Sequence, residues 1–138
     1  AQLEKLPSFA ARRKENFARL KAGLAGTEES YILPGVCEKS DPSWFGFLIT
    51  CRRGVDRNRV VQYAEQKGVQ TRMLFAGNLL KHPCFDEMRR TGEGYRVVGS
   101  LEQTDRIMRD SFWVGVYPGM TDEMTDYMAK ILKEACQI

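Results

Sequence analysis

Eight consecutive residues, Trp44-Phe45-Gly46-Phe47-Leu48-Ile49-Thr50-Cys51, constrain this chain more than any others. The run has the length of one strand and is aromatic and β-branched. Alternate residues of a strand point to opposite faces, and here both sets are apolar. Such a strand belongs at the centre of a sheet, not at an edge. Residues 112–117, Phe112-Trp113-Val114-Gly115-Val116-Tyr117, form a second good strand, stopped by Pro118-Gly119. The two runs are the expected central neighbours.

The rest of the chain alternates between helical and extended patterns. Residues 8–24 read as a helix, with Phe9, Arg13, Phe17, Leu20 and Leu24 on one face at spacings of three and four. Gly26 then suits the left-handed residue past its end. A short strand is expected near residues 31–33, after which Pro34-Gly35 and Asp41-Pro42 mark turns. Asp56 caps a helix running through Gln66, with Val60, Val61 and Ala64 inward and Gly68 beyond its end. Residues 69–75 alternate as a further strand, with Val69, Thr71, Met73 and Phe75 on one side. Residues 79–90 read as short helical or irregular pieces, and residues 95–98 as an extended segment at an edge. Ser100-Leu101-Glu102-Gln103 has capping-box spacing, so a helix is expected from Ser100 to about Asp110. Thr121 caps the last helix, whose stripe is Met124, Tyr127, Met128, Ile131, Leu132 and Ala135. A methionine-rich stripe of this kind is core far more often than a cofactor site. The fold class is α/β (α+β): a small mixed, largely antiparallel sheet with helices mainly on one side.

Charge and cysteine usage exclude several functions. With 138 residues the chain suits one domain. A formal net charge of +3 is too small an excess to argue for nucleic acid. No apolar run approaches the roughly 18–20 residues of a membrane helix, so no membrane partner is expected. Cys37, Cys51, Cys84 and Cys136 lie far apart and form no C-x-x-C pair, and His82 is the one histidine. The usual zinc patterns therefore cannot be built, and free thiols in a reducing cytoplasm are expected. The chain opens on Ala1 in sequence that already reads as mid-helix, so a piece of something longer is expected.

No self-contained active site is visible. Nucleophile-elbow, P-loop and dinucleotide patterns are absent, and Gly92-Glu93-Gly94 does not open a helix after a strand. His82-Pro83-Cys84 reads as a structural loop. In Gln70-Thr71-Arg72-Met73-Leu74-Phe75-Ala76-Gly77-Asn78, a strand ends in a Gly-Asn break with Arg72 and Asn78 flanking an aromatic. Guanidinium can clamp a phosphate or carboxylate there; on the residues alone, a surface arginine and a turn asparagine is the simpler account. Arg106 stands at the rim of an apolar helix face, where it can reach a cleft or serve as an ordinary surface charge.

These same segments carry a resemblance. Phe45-Gly46-Phe47, the run from Gly68 to Leu79, Tyr95-Arg96-Val97-Val98-Gly99, Thr104-Asp105-Arg106-Ile107-Met108 and the run from Phe112 to Thr121 resemble the DegT/DnrJ/EryC1/StrS sugar-aminotransferase superfamily. Their order and spacing look like the C-terminal end of its CDP-4-keto-6-deoxyhexose 3-dehydrases. The resemblance covers almost the whole chain. It implies that residues 1–138 are the C-terminal small domain of a longer fold-type-I, vitamin-B6-dependent enzyme whose cofactor-binding large domain is absent from this chain. It implies a pyridoxamine or pyridoxal phosphate cofactor and an iron–sulfur cluster in the full-length enzyme, with none expected on this fragment. It further implies a CDP-sugar substrate that loses its 3-hydroxyl in O-antigen dideoxysugar biosynthesis, a reductase partner and a homodimer. Neither His82 nor any of the four cysteines carries over as catalytic base or cluster ligand. What carries over is one wall of a cleft. Phe45 and Phe75 would supply apolar surface, Arg72 and Asn78 would contact substrate or position a loop, and Arg106 would face an anionic cofactor or substrate. No catalytic residue and no metal ligand is expected within the chain. Two rival readings are a sugar aminotransferase, with lysine in place of the family's catalytic histidine, and a stand-alone ferredoxin-like ligand-binding module.

Overall fold

The computed structural model describes residues 2–138. The elements run α1 (Gln2–Gly23), β1 (Tyr31–Ile32), β2 (Gly46–Cys51), α2 (Arg57–Gln66), β3 (Thr71–Met73), α3 (Asp86–Thr91), α4 (Glu102–Asp110), β4 (Ser111–Gly115) and α5 (Asp122–Ala135). Two 3-10 turns, Leu79–Lys81 and Pro83–Phe85, lead into α3. The sheet order is β1-β2-β4-β3 and every pairing is antiparallel. The two apolar runs are thus the central pair, with Phe47 opposite Val114 and Ile49 opposite Phe112. Because β4 lies between β2 and β3, the β2–α2–β3 unit is a split crossover.

One face of the sheet is the core. Phe47, Ile49, Phe112 and Val114 are completely buried beneath α1, α2 and α5, which supply Leu20, Val60, Ala64 and Leu132, with Leu24 just past the end of α1. Phe17 meets Phe47 with ring centroids 4.8 Å apart. Asn16 is buried beside it and donates from Nδ2 to the Tyr117 carbonyl at 2.9 Å, tying α1 to the turn after β4. Asp56 caps α2 as expected, accepting from the Asn58 N–H at 2.8 Å.

The opposite face is the less covered one, as the expected placing of helices mainly on one side requires. Gly46, Leu48 and Trp113 lie on it and are only partly buried. The helix nearest to it, α4, touches β2 and β4 but buries none of its own residues.

Several boundaries moved for identifiable reasons. Helix α1 ends at Gly23 and extends back through Pro7 to Gln2, although Phe9, on the expected face, stays exposed. Strand β3 keeps only three of the seven residues 69–75. Its partner β4 begins at Ser111, and the preceding Asp110 is helical, so no strand remains opposite Phe75. Met73 and Phe75 are accordingly exposed while Val69 and Thr71 are buried. Residues 95–98 pair with no strand among the described residues. Helix α4 starts at Glu102; Ser100 Oγ accepts from the Glu102 N–H at 3.2 Å, and Leu101 takes the cap position. In α5 the stripe is rotated at its start. Thr125 faces inward, because its hydroxyl donates to the Thr121 carbonyl at 3.0 Å, while Met124 and Tyr127 are half-exposed.

Candidate functional site

The partly open sheet face builds an aromatic depression. Its floor is Gly46, Leu48 and Trp113, and its rim is Phe45, Leu74 and Phe75, around a shallow space of about 140 Å³. Phe45 stands edge-on to Trp113, with ring centroids 5.5 Å apart and an interplanar angle of 88°. Phe45 is 63% exposed and Phe75 is 74% exposed. Large apolar groups left this open on a face with a partly buried floor mark a surface that takes a ligand or a further layer of protein. Arg72 pairs with Trp113 across β3 and β4, and Trp113 pairs with Leu48. Directly paired residues share a face, so Arg72 belongs to the same row and is the charge nearest the depression along it.

Of the five expected site residues, the structure brings three to this face: Phe45, Phe75 and Arg72. The other two stand elsewhere. Asn78 is buried, and its side chain is committed within the chain. Nδ2 donates to Asp105 Oδ1 at 2.7 Å and Oδ1 accepts from the Leu80 N–H at 3.1 Å. These bonds tie the turn at residues 78–81 to α4. With Lys81 they also hold the Asp105 carboxyl below the usual carboxylate range. Arg106 lines a separate concavity at the far end of β2, beside Arg53 and Arg57. The expectation of a single wall therefore needs correction: Phe45 and Phe75 share a concave surface, and Arg106 does not join it. The cause is the direction of α4, whose C-terminal half runs toward the residue 52–58 loop.

Trp113, Leu48 and Leu74 were not singled out from the sequence as site residues. Part of the signal was present, since residues 44–51 are apolar on both faces and only one face goes to the core. His82 is occupied by a contact from Nε2 to the Ala76 carbonyl at 2.5 Å.

The lining suits the face of a planar or sugar ring, but not a whole vitamin-B6 cofactor. It holds no carboxylate for a pyridine nitrogen and no hydroxyl cup for a phosphate. Nor, among the described residues, do three or more His, Cys, Asp or Glu groups gather as a metal would require. The four cysteines are free thiols. No described helix is long and apolar enough to cross a membrane.

Comparison with known proteins extends this picture. Residues 1–133 match the DegT/DnrJ/EryC1/StrS aminotransferase family. The chain is 47% identical over 136 residues to the lipopolysaccharide biosynthesis protein RfbH of Salmonella typhimurium, covering 97% of this chain and 30% of that protein. It is 40% identical to the dTDP-4-dehydro-2,6-dideoxy-D-glucose 3-dehydratase of Saccharopolyspora spinosa, covering 97% of this chain and 28% of that one. The chain thus spans less than a third of the length of these relatives. Among solved structures it superposes on E. coli GDP-4-keto-6-deoxy-D-mannose-3-dehydratase with bound hydrated PLP, at a TM-score of 0.78 and 23% identity, over 95% of this chain and 32% of that one. It also superposes on S. venezuelae DesV in complex with a ketimine intermediate, at a TM-score of 0.79 and 21% identity, over 99% of this chain and 34% of that one. At these identities the likeness shows a shared fold.

Proposed function

The chain belongs to the DegT/DnrJ/EryC1/StrS aminotransferase family, and on that premise we propose that residues 1–138 form the C-terminal small domain of a nucleotide-sugar 3-dehydratase. The whole enzyme removes the 3-hydroxyl of a CDP-linked 4-keto-6-deoxyhexose in O-antigen dideoxysugar biosynthesis. The observation that carries this reading is identity of 47% and 40%, over 97% of this chain, with RfbH and a 3-dehydratase. The dehydratase reading is favoured over the aminotransferase one because the proteins described as aminotransferases enter only as structural neighbours at 17–19% identity, against 47% and 40% for RfbH and the 3-dehydratase.

The cofactor, pyridoxamine or pyridoxal phosphate, supplies the electron sink and is held by parts of the enzyme outside this chain. This domain closes over it from one side. Phe45, Phe75 and Trp113 exclude water from the reacting rings, and Arg72 at the margin offers two parallel donors to an anionic oxygen. Asn78 keeps the loop after Phe75 in place through Asp105 and Leu80. An iron–sulfur cluster, a reductase partner and a homodimer belong to the same proposal through the sequence resemblance alone; no residue of this chain carries them.

The test is turnover of CDP-4-keto-6-deoxyglucose by the full-length protein. Loss of the 3-hydroxyl without transfer of an amino group supports the reading. A 4-amino sugar as the product overturns it in favour of the aminotransferase. A second measurement separates the domain's role from the enzyme's: the isolated 138-residue chain should retain no cofactor absorbance after purification.

A further inference from the structure

Five of the chain's thirteen arginines line one concavity of about 810 Å³. They are Arg52, Arg53 and Arg57, around the start of α2, and Arg106 and Arg109 on α4. Only two carboxylates share the space, and both are already engaged. Asp110 is held by Arg109 through two bonds of 2.8 and 2.9 Å. Asp56 accepts from the Asn58 N–H. Arg52, Arg53, Arg57 and Arg106 have no carboxylate within 4.0 Å among the described residues. Arg52 spends one N–H on the Glu28 carbonyl at 2.7 Å. Arg57 is half-buried; it reaches Met73 Sδ and, at 3.4 Å, the Ser111 carbonyl, and its Nε is buried with no partner at all.

This arrangement is costly without an anion. Like charges gathered in one concavity repel, and a buried guanidinium N–H without an acceptor forfeits its hydration. The chain as a whole has a formal charge of only +3, so the excess is local rather than a general basic surface. Elsewhere arginines near carboxylates pair with them, as Arg12 and Arg19 do with Asp122 and Asp126. The concavity has the size of a small-ligand site rather than of a flat docking face. One carboxylate answers one guanidinium fork; two linked phosphates present oxygens on several sides and can take two or three forks together.

We propose that this arginine basin binds the diphosphate group of a small molecule, with Arg53, Arg57 and Arg106 as its principal donors. The proposal stands on the basin and does not depend on the dehydratase chemistry. It also gives Arg106 an anion to face, in a different concavity from the aromatic depression. The diphosphate can come from inorganic pyrophosphate or from a nucleoside diphosphate, and the basin's chemistry is the same for both.

The test is calorimetric titration of the intact protein with pyrophosphate and, separately, with CDP, at about 50 mM salt. Saturable binding of either is expected, weakened at least about tenfold by Arg53→Glu and by a smaller factor by Arg53→Gln, as loss of a charge-assisted contact requires. Arg53 makes no hydrogen bond or ion pair among the described residues, so both variants should fold, and Arg96→Gln, away from the basin, should leave binding unchanged. Pyrophosphate displacing CDP identifies the diphosphate as the whole ligand; binding of CDP alone, still sensitive to Arg53, identifies a nucleotide. Absence of saturable binding, or binding that both Arg53 variants leave intact, overturns the proposal. Because the readout is binding, it is unaffected by whether the protein dehydrates or transaminates a sugar.

Discussion

Trp113 lies across Gly46. A Cβ built on Gly46 would sit 2.7 Å from Trp113 Cε3 and 3.2 Å from Cζ3. The missing side chain is what lets the indole rest on β2 and meet Phe45 edge-on. Gly46→Ala must therefore push the indole off the sheet. Overpacking of this kind costs about 1–3 kcal/mol, measured as a lowered urea midpoint with an unchanged slope, together with a changed near-ultraviolet dichroism. An alanine variant with wild-type stability and spectrum would show that the contact is not tight.

Phe45 and Phe47 are two residues apart on one chain segment and should behave oppositely. Phe47 is fully buried against Phe17, so Phe47→Ala should cost about 3–5 kcal/mol of folding stability. Phe45 is mostly exposed and has Trp113 as its aromatic partner, so Phe45→Ala should cost no more than about 1.5 kcal/mol. In the full-length protein the Phe45 variant should instead lose turnover. Equal destabilisation by the two variants in chemical denaturation would contradict this assignment of faces.

How much of this was legible before folding varies by residue. The central pair was legible because both strands advertise themselves by β-branched and aromatic residues, and α2 because Asp56 precedes a periodic run. What could not be read was which face of residues 44–51 would be left open. That depends on α1, α2 and α5 all packing on the Phe47 side, a tertiary outcome without a local signal. The same holds for Phe75. Its alternation with Thr71 and Met73 suggested a strand, but β4 begins too late to pair with it. The arginine basin was invisible for a different reason, since Arg53 and Arg106 are far apart in sequence and meet only when α4 reaches the end of β2.

Acid should loosen the contact between α1 and α5 first. Arg12 bonds Asp122 at 2.6 Å, and Arg19 grips both Asp122 and Asp126 at 2.7–2.8 Å. These bonds hold both carboxyls below the usual aspartate range. A depressed folded-state value means the folded protein takes up fewer protons than the unfolded chain. The contribution is therefore complete above the ordinary aspartate value near about 4, and is lost as pH falls below it toward the folded values. The melting temperature of the wild type should drop more steeply than that of the Asp122→Asn/Asp126→Asn variant between about pH 4 and 2. Parallel curves would remove these ion pairs from the account of acid stability.

The four thiols should separate cleanly by reactivity. Cys37 and Cys84 are exposed; Cys136 is half-buried and donates to the Lys133 carbonyl at 3.1 Å; Cys51 is 1% exposed at the end of β2. Burial pushes the Cys51 thiol up to about 12. Since the thiolate is the nucleophile, only about one Cys51 in ten thousand is reactive at pH 8 even before access is considered. Alkylation of the native protein, read site by site by mass spectrometry, should label Cys37 and Cys84 quickly and Cys136 slowly. Cys51 should wait for opening of the strand, so that its labelling accelerates with denaturant while that of Cys37 does not. Cys51 reacting in the native protein as fast as Cys37 would mean that the sheet beneath α2 and α5 is not the closed core it forms here.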